Sequence, residues 1–97
     1  MILHTINTGP GSSDLTDCLR VAGAEDAILL TGDGVYIALE GTGCCSGLLK
    51  TRAEIFILES DAKAAGVMGR ISSAASVVDF NGFVELTERF PRQIAWY

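Results

Sequence analysis

Three cysteines and a single histidine are the side chains of this 97-residue sequence best suited to chemistry. Cys18 stands in the segment DLTDCLRVA, Cys44 and Cys45 are adjacent, and His4 lies near the start. A thiol reacts as its thiolate, which nearby cations or a helix N-terminus favour. Arg20 is close to Cys18 in sequence, yet residues i and i+2 of a helix point to different faces. Cys18 also shares a helical stripe with Leu15, Leu19 and Ala22, where a free cysteine behaves as a small buried hydrophobe. Core packing is therefore the first expectation for Cys18, and a reactive thiol the second. Cys44 and Cys45 follow Gly41-Thr42-Gly43 and are expected in or beside an exposed loop. Adjacent cysteines rarely bridge, because closing that ring strains the peptide between them. An odd cysteine count without C-x-x-C, and a lone histidine far from all three, gives neither a disulfide framework nor a zinc site. No metal and no cofactor are expected.

The remaining candidates have structural explanations. His4 is surrounded by Ile2, Leu3 and Ile6, the setting of a hydrogen-bonded structural histidine rather than a general base. Gly9-Pro10-Gly11 falls between a strand and a helix, as a phosphate loop would. Neither G-x-G-x-x-G nor G-x-x-x-x-G-K-[ST] is present, however, and no lysine is near. These glycines, and Gly32-Asp33-Gly34, suit tight turns in which positive φ costs little. Asp33 and Asp79 read as turn and cap formers.

Positioning these side chains requires alternating strands and helices. Ile2–Ile6 reads as a first strand, and Ser12 or Ser13 as the N-cap of a helix through Ala22. Residues 27–31 form a bounded apolar run of strand length, followed by a short helical piece over residues 35–39. Residues 54–58 (EIFIL) are the clearest strand. Ser60 or Asp61 caps an alanine-rich helix that Gly66 ends. A loop over residues 69–76 leads to a brief strand at Val77-Val78. Asp79 or Asn81 then caps a helix with Phe83, Leu86 and Phe90 on one face and a Glu85–Arg89 pair outside. Pro91 stops it, and residues 93–96 form the last strand. Five strands alternating with helices predict a single α/β domain over residues 1–97 with a mainly parallel sheet.

Composition narrows the function. Twelve acidic and seven scattered basic residues give a net charge of −5, with no basic cluster to follow a phosphate backbone. Direct nucleic-acid binding is not expected. The longest apolar run falls well short of the ~20 residues needed to cross a bilayer, and the opening residues lack a signal-peptide pattern. Cytoplasmic placement and no membrane are the expectations. Apolar residues make up 48% of the chain, rich enough to imply a doubly covered sheet or a partner.

Five segments, taken in order, resemble the TusB/DsrH family: MILHTINTGP, ILLTGDGVYIAL, ESDAKAAGVMG, VVDFNGFVELT and the closing FPRQIAW. The resemblance runs from Met1 to Tyr97. It implies a DsrEFH-like fold and a small subunit of cytoplasmic heterohexameric sulfur-relay complexes, TusBCD or DsrEFH. The implied partners are TusC/DsrF-like and TusD/DsrE-like subunits and, indirectly, a TusE/DsrC-like sulfur carrier. The implied work is relaying persulfide sulfur, for 2-thiolation of tRNA wobble uridine or, alternatively, for sulfur oxidation. The principal sulfur-carrying cysteine of such complexes sits in the larger TusD/DsrE subunit, so this chain is expected to be a structural subunit of a sulfurtransferase and not its catalytic one. DsrH-type members carry a cysteine in the first helix, which makes Cys18 the candidate persulfide carrier. A homo-oligomeric α/β protein outside any relay is the third possibility.

The apolar ending Ile94-Ala95-Trp96-Tyr97 would expose two aromatics if it were free. Trp96 and Tyr97 are accordingly the candidate interface residues. Packing within the subunit is an equal alternative for Trp96, and Tyr97 is expected at a rim.

Overall fold

The apolar runs become the strands of one parallel sheet. The computed structural model describes residues 1–96. Strands β1 (Ile2–Ile6), β2 (Ala27–Leu30), β3 (Glu54–Leu58), β4 (Ser76–Val78) and β5 (Arg92–Trp96) lie in the order β4-β3-β2-β1-β5. All four strand pairings are parallel, bearing out the α/β expectation. Central β2 is buried at every position, whereas edge strand β5 is exposed at Arg92 through Ala95.

Because side chains alternate along a strand, the two faces of the sheet carry different residues. Ile6, Ile28, Leu30, Ile55 and Ile57 pack under α1 (Asp14–Val21), the 3₁₀ segment Gly32–Ala38, α2 (Gly43–Leu48) and α3 (Glu59–Ala65). Leu3, Ala27 and Leu29 pack instead under α4 (Phe80–Arg89), through Leu86 and the adjoining Phe90. The order explains this division. The connections from β1 to β4 all step in one direction, while α4 carries the chain from one edge of the sheet to the other. Right-handed crossovers that step in opposite directions lie on opposite faces.

Local chemistry sets the boundaries. Asp79 accepts the Gly82 N–H at 2.8 Å and starts α4. Gly66, at φ +72°, ends α3 in the left-handed region. Gly34 is required for a different reason: a Cβ there would lie 2.3 Å from the Ile6 carbonyl oxygen, so only glycine lets the 3₁₀ segment meet the end of β1.

Several expectations need correction. The Gly32-Asp33-Gly34 break belongs to the 3₁₀ segment itself. The adjacent cysteines lie in helix α2, capped by the Thr42 hydroxyl accepting the Cys45 N–H; glycines at both ends of that short helix hide it from pattern reading. Neither Ser60 nor Asp61 caps α3, which begins at Glu59, and the Asp61 carboxylate accepts the Gly32 N–H at 2.8 Å. Ser13 stands at the α1 N-cap position without a side-chain bond, and Ser12 Oγ accepts the Asp14 N–H. Arg89 pairs with Glu54 rather than Glu85, because it turns toward the sheet. A 3₁₀ turn, Met68–Arg70, interrupts the loop expected over residues 69–76.

Candidate functional site

The polar residues that the fold gathers most tightly are His4, Asp26 and Trp96. His4 comes from β1, Asp26 immediately precedes β2, and Trp96 closes β5. Parallel pairing on both sides of β1 brings the three together across a separation of 92 residues. The His4 ring is fully buried. Trp96 Nε1–H donates to His4 Nδ1 at 3.1 Å, and His4 Nε2 lies 2.9 Å from Asp26 Oδ2. The indole has only a donor to offer, so Nδ1 is the acceptor and the neutral ring carries its proton on Nε2, donated to the carboxylate. The two rings stack at 6.2 Å with an interplanar angle of 27°.

Asp26 is the hub. Its Oδ1 accepts the Ile2 N–H and its Oδ2 the Gly23 N–H, each at 3.0 Å. The Met1 α-amino nitrogen lies 3.7 Å from Oδ1. Burial pushes the carboxyl pKa up, but hydrogen bonds from His4, Gly23 and Ile2 outweigh it and bring it down to about 2. Sequence reasoning singled out His4 and Trp96 but passed over Asp26. The available signal was an acidic residue directly before a wholly apolar strand, where a carboxylate is out of place unless it is bonded.

Asp–His pairs often serve nucleophiles, and here that role is closed. Both ring nitrogens are engaged, and the third member is an indole N–H, which cannot attack a substrate. The cluster is a buried, satisfied clamp between the first and last strands.

The thiols divide sharply. Cys18, on the inner face of α1, is fully buried, and its pKa is pushed up to about 12, first by burial and then by the negative charge of Asp26. A thiolate is disfavoured there, so the geometry agrees with core packing. Cys45 is buried as well. Cys44 is half-buried, its Sγ 3.5 Å from the Pro10 carbonyl oxygen. No group of three or more His, Cys, Asp or Glu residues among the described residues could hold a metal ion. No helix among them is long and apolar enough to cross a membrane. Trp96 is half-buried against the main core, and Tyr97 lies outside the described residues.

Comparison with known proteins places this architecture. A family described as "DsrH like protein" matches residues 9–93. Protein TusB of Erwinia tasmaniensis is 40% identical over 95 residues, covering 98% of this chain and 100% of that protein. Protein TusB of Yersinia pestis is 41% identical with the same coverage. The chain belongs to the TusB/DsrH family. Among solved structures, protein Tm0979 from Thermotoga maritima superposes with a TM-score of 0.72 at 28% identity, covering 92% of this chain and 93% of that one. The ychN protein from E. coli superposes with a TM-score of 0.79 at 16% identity, covering 97% of each chain, which shows a shared fold.

Proposed function

We propose that this chain is a structural subunit of a sulfur-relay complex of the TusBCD/DsrEFH type, serving 2-thiolation of tRNA wobble uridine. The observation that carries this is the match to Protein TusB at 40% identity across essentially the whole of both chains. The chemistry of the chain supports it. Cys18, its family-suggested thiol, is buried with a raised pKa, and the Asp26–His4 pair has no nucleophile to serve. Sulfur is then carried by the companion subunits, and this chain completes the assembly and shapes the surface where a TusE-like carrier docks. Trp96 and Tyr97 are proposed to lie at or near the contact with those companions.

Co-expression with the TusC/DsrF-like and TusD/DsrE-like chains of the same genome is the direct test. A stable ternary complex is the expected result, with loss of 2-thiouridine from tRNA when the gene is deleted, read by nucleoside mass spectrometry. A chain that stays monomeric beside them, or that only self-associates, overturns the proposal.

The second reading makes Cys18 a persulfide carrier in a sulfur-oxidising relay. Its support is the presence of a thiol within the DLTDCLRVA segment. It requires α1 to move so that a donor reaches Sγ. Intact-mass measurement after treatment with a persulfide donor separates the two: added sulfur on Cys18, and lost transfer in Cys18→Ala, favour the carrier.

A further inference from the structure

The C-terminal ends of β3 and β4 present an apolar groove with an acidic lining. Leu58, Glu59, Ser60, Asp79, Phe80 and Phe83 enclose about 270 Å³ between the first turns of α3 and α4. Phe80 is 73% exposed, the most exposed large apolar side chain among the described residues, and Val84, one helical turn further along α4, is also exposed. Among the described residues edge strand β4 has no neighbour on its outer side, and Val77 there is exposed too. An open sheet edge beside exposed aromatic surface is an invitation to association.

Size and charge select the occupant. The groove is smaller than the ~300–1,000 Å³ of typical small-molecule sites and suits one large apolar side chain. Two of its lining residues are carboxylates, and none is a cation. Asp79 spends one oxygen capping α4. Among the described residues Glu59 pairs with Lys63 alone, in an exposed contact at 3.4 Å, which a better-placed cation readily replaces. A second copy bound two-fold through this surface would set Glu59 and Asp79 against their own counterparts, on a chain whose net charge is already −5.

We infer that this groove docks a protein partner of different sequence, which inserts an apolar side chain flanked by lysine or arginine beside the exposed Phe80. The inference rests on the subunit reading and deepens it by naming the surface and the chemistry of the contact. Phe80 is the anchor, since aromatic side chains, phenylalanine among them, are enriched at interfaces. Glu59 and Asp79 select the partner's charge and set the approach.

The test is co-purification of the tagged chain with its two companion subunits, followed by titration of the isolated partners. Phe80→Asp places an acidic residue in the first turn of α4, where the helix dipole tolerates it; an unchanged melting temperature certifies the fold. It should weaken assembly by about tenfold or more, whereas Leu49→Asp, remote from the groove, should not. Glu59→Gln with Asp79→Ser, which keeps the cap, should weaken assembly and flatten its dependence on salt between about 0.05 and 0.5 M. Wild-type assembly left intact by Phe80→Asp overturns the groove while the subunit reading stands. Failure of the wild type to assemble overturns both. A self-association abolished by Phe80→Asp shows that the occupant is a second copy and overturns the assignment of a basic partner.

Discussion

The two faces of the sheet are unequal. One is roofed by α1, the 3₁₀ segment, α2 and α3, and the other by α4 alone. Strand β3 records the contrast within five residues: Ile55 and Ile57 are buried on the crowded face, while Phe56 and Leu58 are half-buried on the sparse one. The crowded face is a complete core. The sparse face is complete only around Leu3, Leu29 and Phe90, and toward β4 its cover thins, with Phe83 half-buried and Phe80 exposed. Apolar content beyond what the fold consumes has been left at that edge, where a partner can use it.

The sharpest way to break this comparison is to cut matched cavities on the two faces. Ile57 and Leu29 are both fully buried. Ile57→Ala, walled in by several helices, should cost about 4 kcal/mol, because the surroundings cannot close over the void. Leu29→Ala should cost about 2 kcal/mol, since α4 can settle onto the sheet. Urea unfolding measures both. A larger loss from Leu29→Ala would show that the sparse face is the stiffer.

The clamp at the other edge gives the next effect. The folded-state pKa of Asp26, about 2, is below the ordinary value of 3.8. Its stabilisation is therefore fully present above pH 3.8 and is lost as the pH falls through 2. The gap corresponds to about 2 kcal/mol at neutral pH. Asp26→Asn should lose about that much at pH 7 and converge on the wild type only as the pH falls below about 2. A difference between the two proteins that persists undiminished at pH 2 would refute the linkage. Trp96→Phe keeps the ring but leaves His4 Nδ1 without its donor. It should cost about 1 kcal/mol and raise amide exchange selectively along β5, as followed by NMR. Uniform exchange changes would mean that Trp96 contributes packing alone.

These sites were unequally legible in the sequence. Strands β1, β2 and β3 were plain, because apolar runs bounded by glycine and charge allow few alternatives. Helix α4 was equally plain, from the spacing of Phe83, Leu86 and Phe90 and the Asp79 cap. The sheet order was not, since it depends on where α4 crosses, which no local pattern encodes. That order is also what brings His4, Asp26 and Trp96 together, so the clamp stayed hidden although two of its members drew notice separately. Helix α2 was missed because Gly43 and Gly47 weaken helix propensity while Thr42 capping and Leu48 burial restore it. The Glu85–Arg89 pairing failed for a similar reason: spacing along a helix cannot reveal a better partner on a strand.

That Arg89 pairing supplies the smallest effect and the last comparison. Arg89 reaches Glu54 at the start of β3, and its guanidinium carbon sits 4.9 Å from the centre of the Phe90 ring. Both charged side chains are about half exposed, so solvent screens their attraction and holding them in place costs side-chain entropy. Glu54→Gln should therefore cost less than about 0.5 kcal/mol. Arg89→Ala should cost more than Glu54→Gln, because it also strips the guanidinium from the Phe90 ring. Equal losses in the two single variants and the double variant would mean that the ion pair carries the whole effect. A larger loss in Arg89→Ala, insensitive to salt, would mean that the sparse face is held by the cover Arg89 gives Phe90, and that α4 is seated by packing more than by charge.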